Sequence, residues 1–361
     1  MKLTIKTEEL QGMVGRVSQC VSNNKLIPLT SLISIAVEDN VLKLTTTDAT
    51  IFYYAYSNSD ITCEDFEVSV IADLFVKLIQ KTTSENVTIE VEGEVLKVTG
   101  NGTYTFELPL DEDGVIKFPV KVNDENSVKE IGKVTLSNIN NIISANKASL
   151  AVNMEYPVLT YYYCGEEVIT SDRKNICENN LKVFDTPILI SSTLMNLLST
   201  VSSEDIKVTQ TDIGLWFETD HEKIYTPIKE EASSFPITAI KSFASSKFPA
   251  HCKVARGEIL SLLDRLSLFV DSYDKKGIYI TVDESGLLFS SKKSKGKEVV
   301  KYTDMEGFEN YACCINIEML KNQLMSLSSD VITLYFGSEI AIKLEDKGIN
   351  LTIALIEDSE E

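Results

Sequence analysis

Histidine is nearly absent from this chain of 361 residues, which carries only His221 and His251. A histidine metal cluster or an imidazole-based hydrolytic triad therefore has little material. His221 stands between Asp220 and Glu222 where a hairpin turn is expected, and His251 opens a strand with no partner nearby in sequence. Both are expected to be structural. There is no Gly-x-x-x-x-Gly-Lys-Ser/Thr loop and no dinucleotide-binding glycine fingerprint. The seven cysteines form no Cys-x-x-Cys pair, and two of them, Cys313 and Cys314, are adjacent. That pattern suits buried thiols in a reducing compartment better than a disulfide framework or a zinc site. No apolar run reaches about 18 residues, and the opening Met1-Lys2-Leu3-Thr4-Ile5-Lys6 alternates like a strand rather than a signal peptide. A cytoplasmic protein without membrane, metal or cofactor is expected, and no nucleophile–base set points to an enzyme.

Basic residues are also scarce: 34 Lys and Arg stand against 54 Asp and Glu, a net charge of −20. Such a balance is unlike that of a conventional nucleic-acid binder. It leaves two readings. One is solubility; the other is a protein that repels DNA over most of its surface and tolerates it on one restricted face. Acidic clusters such as Asp111-Glu112-Asp113 and Glu230-Glu231 are expected to be loop charge.

What the chain does have is a threefold internal repeat. The first copy has the apolar run Val68-Ser69-Val70-Ile71, a helix with Leu74, Phe75 and Leu78, the turn Ser84-Glu85-Asn86, and strands at 87–92 and 95–99. The second has Ile188-Leu189-Ile190, then Leu194, Leu197 and Leu198, the turn Ser203-Glu204-Asp205, and strands at 206–210 and 213–217. The third has Cys313-Cys314-Ile315, then Met319, Leu320 and Leu324, the turn Ser328-Ser329-Asp330, and strands at 331–336 and 339–344. Asn86 and Asp205 are 119 residues apart, and Asp205 and Asp330 are 125 apart. A period this long is a domain repeat, since solenoid units run roughly 20–50 residues.

The first half of each unit repeats as well. A strand at 2–6 leads to a helix with Leu10, Met13, Val14 and Val17, whose i, i+3, i+4, i+7 spacing makes one apolar face, with Thr7 or a neighbour as cap. Residues 133–136 lead to Ile139, Ile142 and Ile143, with Ser137 as candidate cap. Residues 251–255 lead to Ile259, Leu260, Leu263 and Leu266. Two helices and about eight short strands per unit predict an α+β fold of three similar domains. Phe118-Pro119 with the polar stretch 123–126, and Phe235-Pro236 with Ser242, Ser245 and Ser246, mark the linkers. The expected domains are 1–125, 126–246 and 247–361.

The polar sides of these helices carry the remaining signal. Lys77 and Lys81 are an i, i+4 pair away from Leu74, Phe75 and Leu78. Arg16 lies off the apolar stripe of the first helix, Asn138, Asn141 and Lys147 follow in the second repeat, and Arg265 and Lys321 belong to the third. Such faces are ordinarily just solvated. Equivalent helices could also share a face that meets phosphates without reading bases.

With these residues in view, the chain resembles the bacterial sliding clamp, the β subunit of DNA polymerase III. The resemblance runs over the whole length. It rests on Leu3-Thr4-Ile5 with Leu10 and Val17-Ser18, on the Pro28 segment, and on Leu42-Lys43-Leu44-Thr45-Thr46-Thr47-Asp48. The run from Val68 to Val98 and the Phe-Pro closures at 118–119 and 235–236 complete the set. The resemblance implies a head-to-tail homodimeric ring of six domains, with twelve helices lining the hole and sheets outside. Duplex DNA would thread the ring, an ATP-driven clamp loader would place it, and the replicative DNA polymerase would be tethered to it as to a processivity factor. A clamp-like interaction protein that does not encircle DNA is the alternative. The implied DNA-facing residues are Arg16, Lys25, Lys77, Lys81, Lys147, Arg265 and Lys321. The implied dimer interface joins Tyr104 and Phe106 to Phe269 and Val270.

The resemblance also implies a partner pocket between the second and third domains. Its matching residues are Arg173, Lys174, Ile176, Pro236, Ile240, Ile342, Leu344, Leu351 and Ile353. Here the family's Gly-His-Arg is replaced by Arg173-Lys174-Asn175, and the chain runs on into Glu357-Asp358-Ser359-Glu360-Glu361. Those departures fit a divergent member of the family, as a phage-encoded clamp would be.

Overall fold

The computed structural model describes residues 1–24, 26–111, 114–115, 118, 128–153, 155–271, 276–292, 295–307 and 310–357. Lys25, most of the first linker and the acidic tail beyond Glu357 lie outside them. The chain divides into two compact units, Met1–Ile139 with Thr193–Lys229, and Asn140–Ser192 with Glu230–Glu361. No helix among the described residues is long and apolar enough to cross a membrane.

The α+β expectation holds. The helices are α1 (Thr7–Val17), α2 (Ala72–Lys81), α3 (Leu136–Asn146), α4 (Ser192–Leu198), α5 (Ile237–Ala244), α6 (Arg256–Leu266) and α7 (Ile317–Met325). In α1 the buried residues Leu10, Met13, Val14 and Val17 form the expected stripe, with Glu8 and Glu9 in the first turn and Arg16 in the last, in keeping with the helix dipole. The caps differ from expectation. Thr7 is already helical, and its buried hydroxyl has no hydrogen-bond partner. At α3 it is Thr135, not Ser137, whose hydroxyl accepts a backbone N–H, that of Asn138 at 3.0 Å. At α7, Asn316 Oδ1 accepts the N–H groups of Glu318 and Met319 at 2.9 and 3.0 Å.

The sheets are antiparallel and are assembled from four-stranded halves of two kinds. The first kind has an opening strand, a hairpin and one further strand. Its copies are 2–6, 86–92, 95–99, 103–107; then 129–135, 205–210, 214–218, 222–227; then 250–255, 331–336, 341–346, 349–354. The second kind lies between the two main helices of a repeat. Its copies, in spatial order, are 66–71, 32–38, 41–47, 52–56; then 188–191, 161–164, 168–171, 175–179; then 311–316, 277–283, 286–291, 297–300.

Two joints connect these halves. Strand 222–227 pairs with 52–56 and makes an eight-stranded sheet in the first unit. Strand 349–354 pairs with 175–179 and makes, with 302–306 added at one edge, a nine-stranded sheet in the second. The half beginning at Lys2 and the half ending at Val300 remain four-stranded.

Two local differences from the sequence reading have physical causes. The stretch after Pro236, expected as a polar linker, folds into α5, because Ile240 and Ala244 find a core to enter. The last hairpin closes two residues later than expected, on strands 331–336 and 341–346. Its turn opens with Gly337 at φ +94, where a Cβ would lie 2.5 Å from Pro249 Cγ, so that only glycine fits there.

Candidate functional site

The cations expected to face DNA are mostly neutralised where they stand. Arg16 forms an ion pair with Glu222, which is only 1% exposed. The same carboxylate accepts the Tyr53 hydroxyl at 3.3 Å, and the Ser202 backbone N–H and hydroxyl at 2.8 and 2.9 Å. Burial, and then the charge of Glu222, push the Tyr53 phenol up, so it stays protonated and donates. Arg16 and Glu222 thus lock the eight-stranded joint from α1 to strand 222–227.

Lys77 donates to Asp73 one turn back at 2.8 Å. Arg265 makes a bidentate pair with Glu298, at 2.9 Å from Nε and 2.5 Å from Nη2. Lys321 pairs with Asp264. Only Lys81 and Lys147 of the described candidates are exposed without an ion pair among the described residues.

The nine pocket candidates separate into two groups within the second unit. Ile176 and Ile240 enter a cluster with Leu159, Leu189 and Phe235, where Tyr163 stacks on Phe235 at 5.2 Å. Ile342, Leu344, Leu351 and Ile353 instead fill the core beneath α6 and α7 and are at most 1% exposed. The pleat explains the split. Leu351 and Ile353 pair with Cys177 and Asn175 on one face, while Thr352 pairs with Ile176 on the other. Alternation in Ile349-Asn350-Leu351-Thr352-Ile353 was the signal that could have separated them.

Beside the first group, Asp172 Oδ1 accepts the N–H groups of Lys174 and Asn175 at 2.8 and 2.6 Å, which closes the turn. Arg173 sits there at φ +78 with its guanidinium 4.3 Å above the Tyr156 ring. Lys174 and Pro236 are exposed. His251 has a partner that local sequence does not reveal, since it stacks on Tyr335 at 5.1 Å. Among the described residues, no group of three His, Cys, Asp or Glu side chains is placed to hold a metal ion.

The interface candidates lie at the two unjoined halves. Tyr104 is 47% exposed on the edge strand 103–107, whereas Phe106 turns inward and meets Phe75 edge-on at 6.0 Å. Phe269 is 52% exposed in the turn after α6, and Val270 packs against the core beside it. Leu74, expected on the core stripe of α2, is 60% exposed.

Halves joined in pairs by equivalent edges, with one unjoined half of each kind, are the observation that the solved structures then match. The DNA polymerase sliding clamp from Bacillus subtilis superposes with a TM-score of 0.85 at 18% identity, over 99% of each chain. The chain has the sliding-clamp fold. A putative DNA polymerase III beta subunit from Eubacterium rectale gives 0.86 at 18% identity over all of both chains. A sliding clamp from Pseudomonas aeruginosa, solved bound to griselimycin, gives 0.83 at 13% identity over 99% of each. Residues 1–114 match the family model of the DNA polymerase III beta subunit, N-terminal domain. Compared by sequence with curated proteins, the chain finds no match. In sliding-clamp terms the six helices other than α5 are the pairs of three similar repeats, two per repeat.

Proposed function

We propose that this chain is a DNA polymerase processivity factor. Two copies close head to tail into a ring around duplex DNA, and the ring tethers the replicative polymerase after a clamp loader has placed it. The domains of this ring are 1–125, 126–246 and 247–361, and the protein works in the cytoplasm without chemistry of its own.

The observation that carries the reading is the repetition of one joint. Ile224 faces Tyr53 at the first joint, and Leu351 faces Cys177 at the second. Ile224 and Leu351 hold the same place in their halves: Val208, Phe217 and Ile224 are in register, as are Leu334, Leu344 and Leu351. Tyr53 and Cys177 also correspond, opposite Thr46 and Thr170. The same place in the first unjoined half is Tyr104, beyond Ile89 and Val98. In the last unjoined half it is Gly296, whose carbonyl accepts the N–H of Ser291 at 3.1 Å. A third copy of the joint would set Tyr104 of one chain against Gly296 of another. A heterologous contact of this kind, repeated until it closes, makes a ring.

The local chemistry supports that joint. A Cβ on Gly296 would lie 3.4 Å from Phe269, so the joint brings Tyr104 to Phe269. Phe269 holds the place that Ser149 holds one repeat earlier, at the third residue of the turn after the first main helix. There Ser149 donates to Gln323 of α7 at 3.1 Å, with both side chains buried. The residue of α2 equivalent to Gln323 is Leu78, so the third joint would be apolar where the second is polar.

Partner peptides, in this reading, dock beside Ile176, Ile240, Pro236, Arg173 and Lys174. A few buried apolar anchors carry most of the affinity of such a peptide, and the two cations favour acidic residues next to them. Ile342, Leu344, Leu351 and Ile353 support that surface from within. The test is extension of a primed single-stranded circle by the cognate polymerase and loader. The chain should lengthen the products synthesised per binding event; unchanged product length would contradict the role.

A further inference from the structure

We propose that the outer edge of strand 129–135 takes an extended acidic segment of a partner protein as an added strand. This surface is separate from the peptide surface beside Ile176, and the proposal does not depend on the ring reading.

The two joined sheets follow one plan with one difference. Each pairs two four-stranded halves, and the nine-stranded sheet also carries strand 302–306 on the outer edge of its opening strand, 250–255. Strand 129–135 holds the equivalent place in the eight-stranded sheet, and among the described residues no strand pairs with its outer edge. The N–H and C=O groups along such an edge are a template for another strand. Strand 302–306 shows what this template accepts. Asp304 pairs with Lys253 at 2.7 Å, Glu306 lies 3.8 Å from His251, and Met305 packs against the core beneath.

Repeat equivalence carries that chemistry to the second repeat. Lys253 stands three residues before α6 and faces Thr333, and Lys133 stands three residues before α3 and faces Lys207. Lys133 is exposed and has no ion pair among the described residues. Lysines directly opposite each other repel, so a carboxylate on an added strand relieves both. Lys207 meanwhile leans to Glu130 at 3.3 Å. Glu130 holds the place of His251, so the incoming strand needs an acid facing Lys133 and a neutral or basic residue where Glu306 faces His251.

Two further features fit an added strand. Val128, 56% exposed just before the strand, and the half-buried Ile131 offer apolar contact along the edge. Lys129, Lys133 and the bulge at Ile131 oppose pairing of two such edges with each other, which selects an acidic partner over a second copy of this chain. The opening strand of the first repeat lacks the signal. There Thr4 replaces Lys133, and its hydroxyl lies 3.0 Å from that of Thr88.

The probe is the labelled peptide of residues 301–307 carrying Glu306→Lys, so that an acid meets Lys133 and none meets Glu130. Anisotropy should give a Kd below about 1 mM for the native protein. Hydrogen exchange should slow in 129–135 and stay unchanged in 2–6 and 250–255. Lys133→Glu, checked for native circular dichroism, should weaken the peptide at least about fivefold. The peptide with the further change Asp304→Lys should recover that loss on the Lys133→Glu protein. N-methylation of every second peptide residue should weaken binding at least about tenfold, because the backbone then cannot pair. No binding at about 1 mM, protection outside 129–135, equal affinity of the N-methylated peptide, or no recovery with the charges exchanged would each overturn the proposal.

Discussion

Ile224 faces Tyr53 across the joint of the eight-stranded sheet, where the edge strands of two repeats pair by their backbones. The same register recurs where Leu351 faces Cys177. A joint that repeats to the residue predicts its third occurrence. With Tyr104 opposite Gly296, Thr103 of one chain falls opposite Lys297 of the other. A Thr103→Cys, Lys297→Cys protein should be joined into covalent dimers by a short bismaleimide. A Glu107→Cys, Lys297→Cys protein, four residues out of register along the strand, should react far less. Equal yields from the two pairs would mean that the register is wrong.

Phe269 is the most informative single side chain at that contact. Replacing it with Asp places a charge where the account puts Leu78 and Tyr104 of a second chain. Burying an unpaired carboxylate there costs several kcal/mol, enough to separate the copies at micromolar concentration. Sedimentation should show folded monomers with unchanged circular dichroism. A dimer that survives the substitution would move the interface elsewhere.

Glu222 tests the joint from the inside. It is 1% exposed and gathers Arg16, Tyr53 and Ser202. Glu222→Ala leaves Arg16, the Tyr53 hydroxyl and the Ser202 N–H and hydroxyl without their carboxylate, at a cost of roughly 3 kcal/mol. Thermal unfolding of the first unit should fall by about 6–12 °C. A shift under about 2 °C would show that the pair does little for the joint.

How much of this was legible in the sequence depends on how local the cause is. The stripe of α1, the hairpins 86–92 with 95–99 and 205–210 with 214–218, and the threefold period follow from residue spacing, and they were read nearly to the residue. The register of the joints was not, because Ile224 and Tyr53 are far apart in sequence and no local pattern pairs them. Arg16 looked like a free polar-face cation for the same reason: its carboxylate, Glu222, lies 206 residues away. By contrast, the partner of Lys77 at Asp73 was within reach of i, i+4 counting. The inward turn of Leu351 and Ile353 was also within reach, through strand alternation. Helix α5 is hidden in the sequence because Ser242, with Ser245 and Ser246 just beyond its end, outweighs the spacing of Ile237, Ile240 and Ala244.

The two groups of pocket residues should respond differently to mutation. Leu351→Ala empties a fully buried site and should cost about 2–5 kcal/mol of stability, with peptide binding lost only as far as the fold is. Arg173→Glu acts at an exposed position beside Ile176 and should leave stability nearly unchanged while weakening an acidic partner peptide at least fivefold. Calorimetry and peptide anisotropy on both proteins separate the effects. A Leu351→Ala protein of native stability, or Arg173→Glu with native peptide affinity, would contradict the assignment.

Enclosure of DNA is the central claim, and topology tests it most directly. The protein is loaded by its clamp loader onto a nicked circular duplex, the complex is isolated by gel filtration, and half of it is cut once with a restriction enzyme. A ring should stay on the circle and run off the linear product, with the loss prevented when both ends are blocked by bound protein. Equal retention on circular and linear DNA, or release from the circle as fast as from the linear form, would contradict the account.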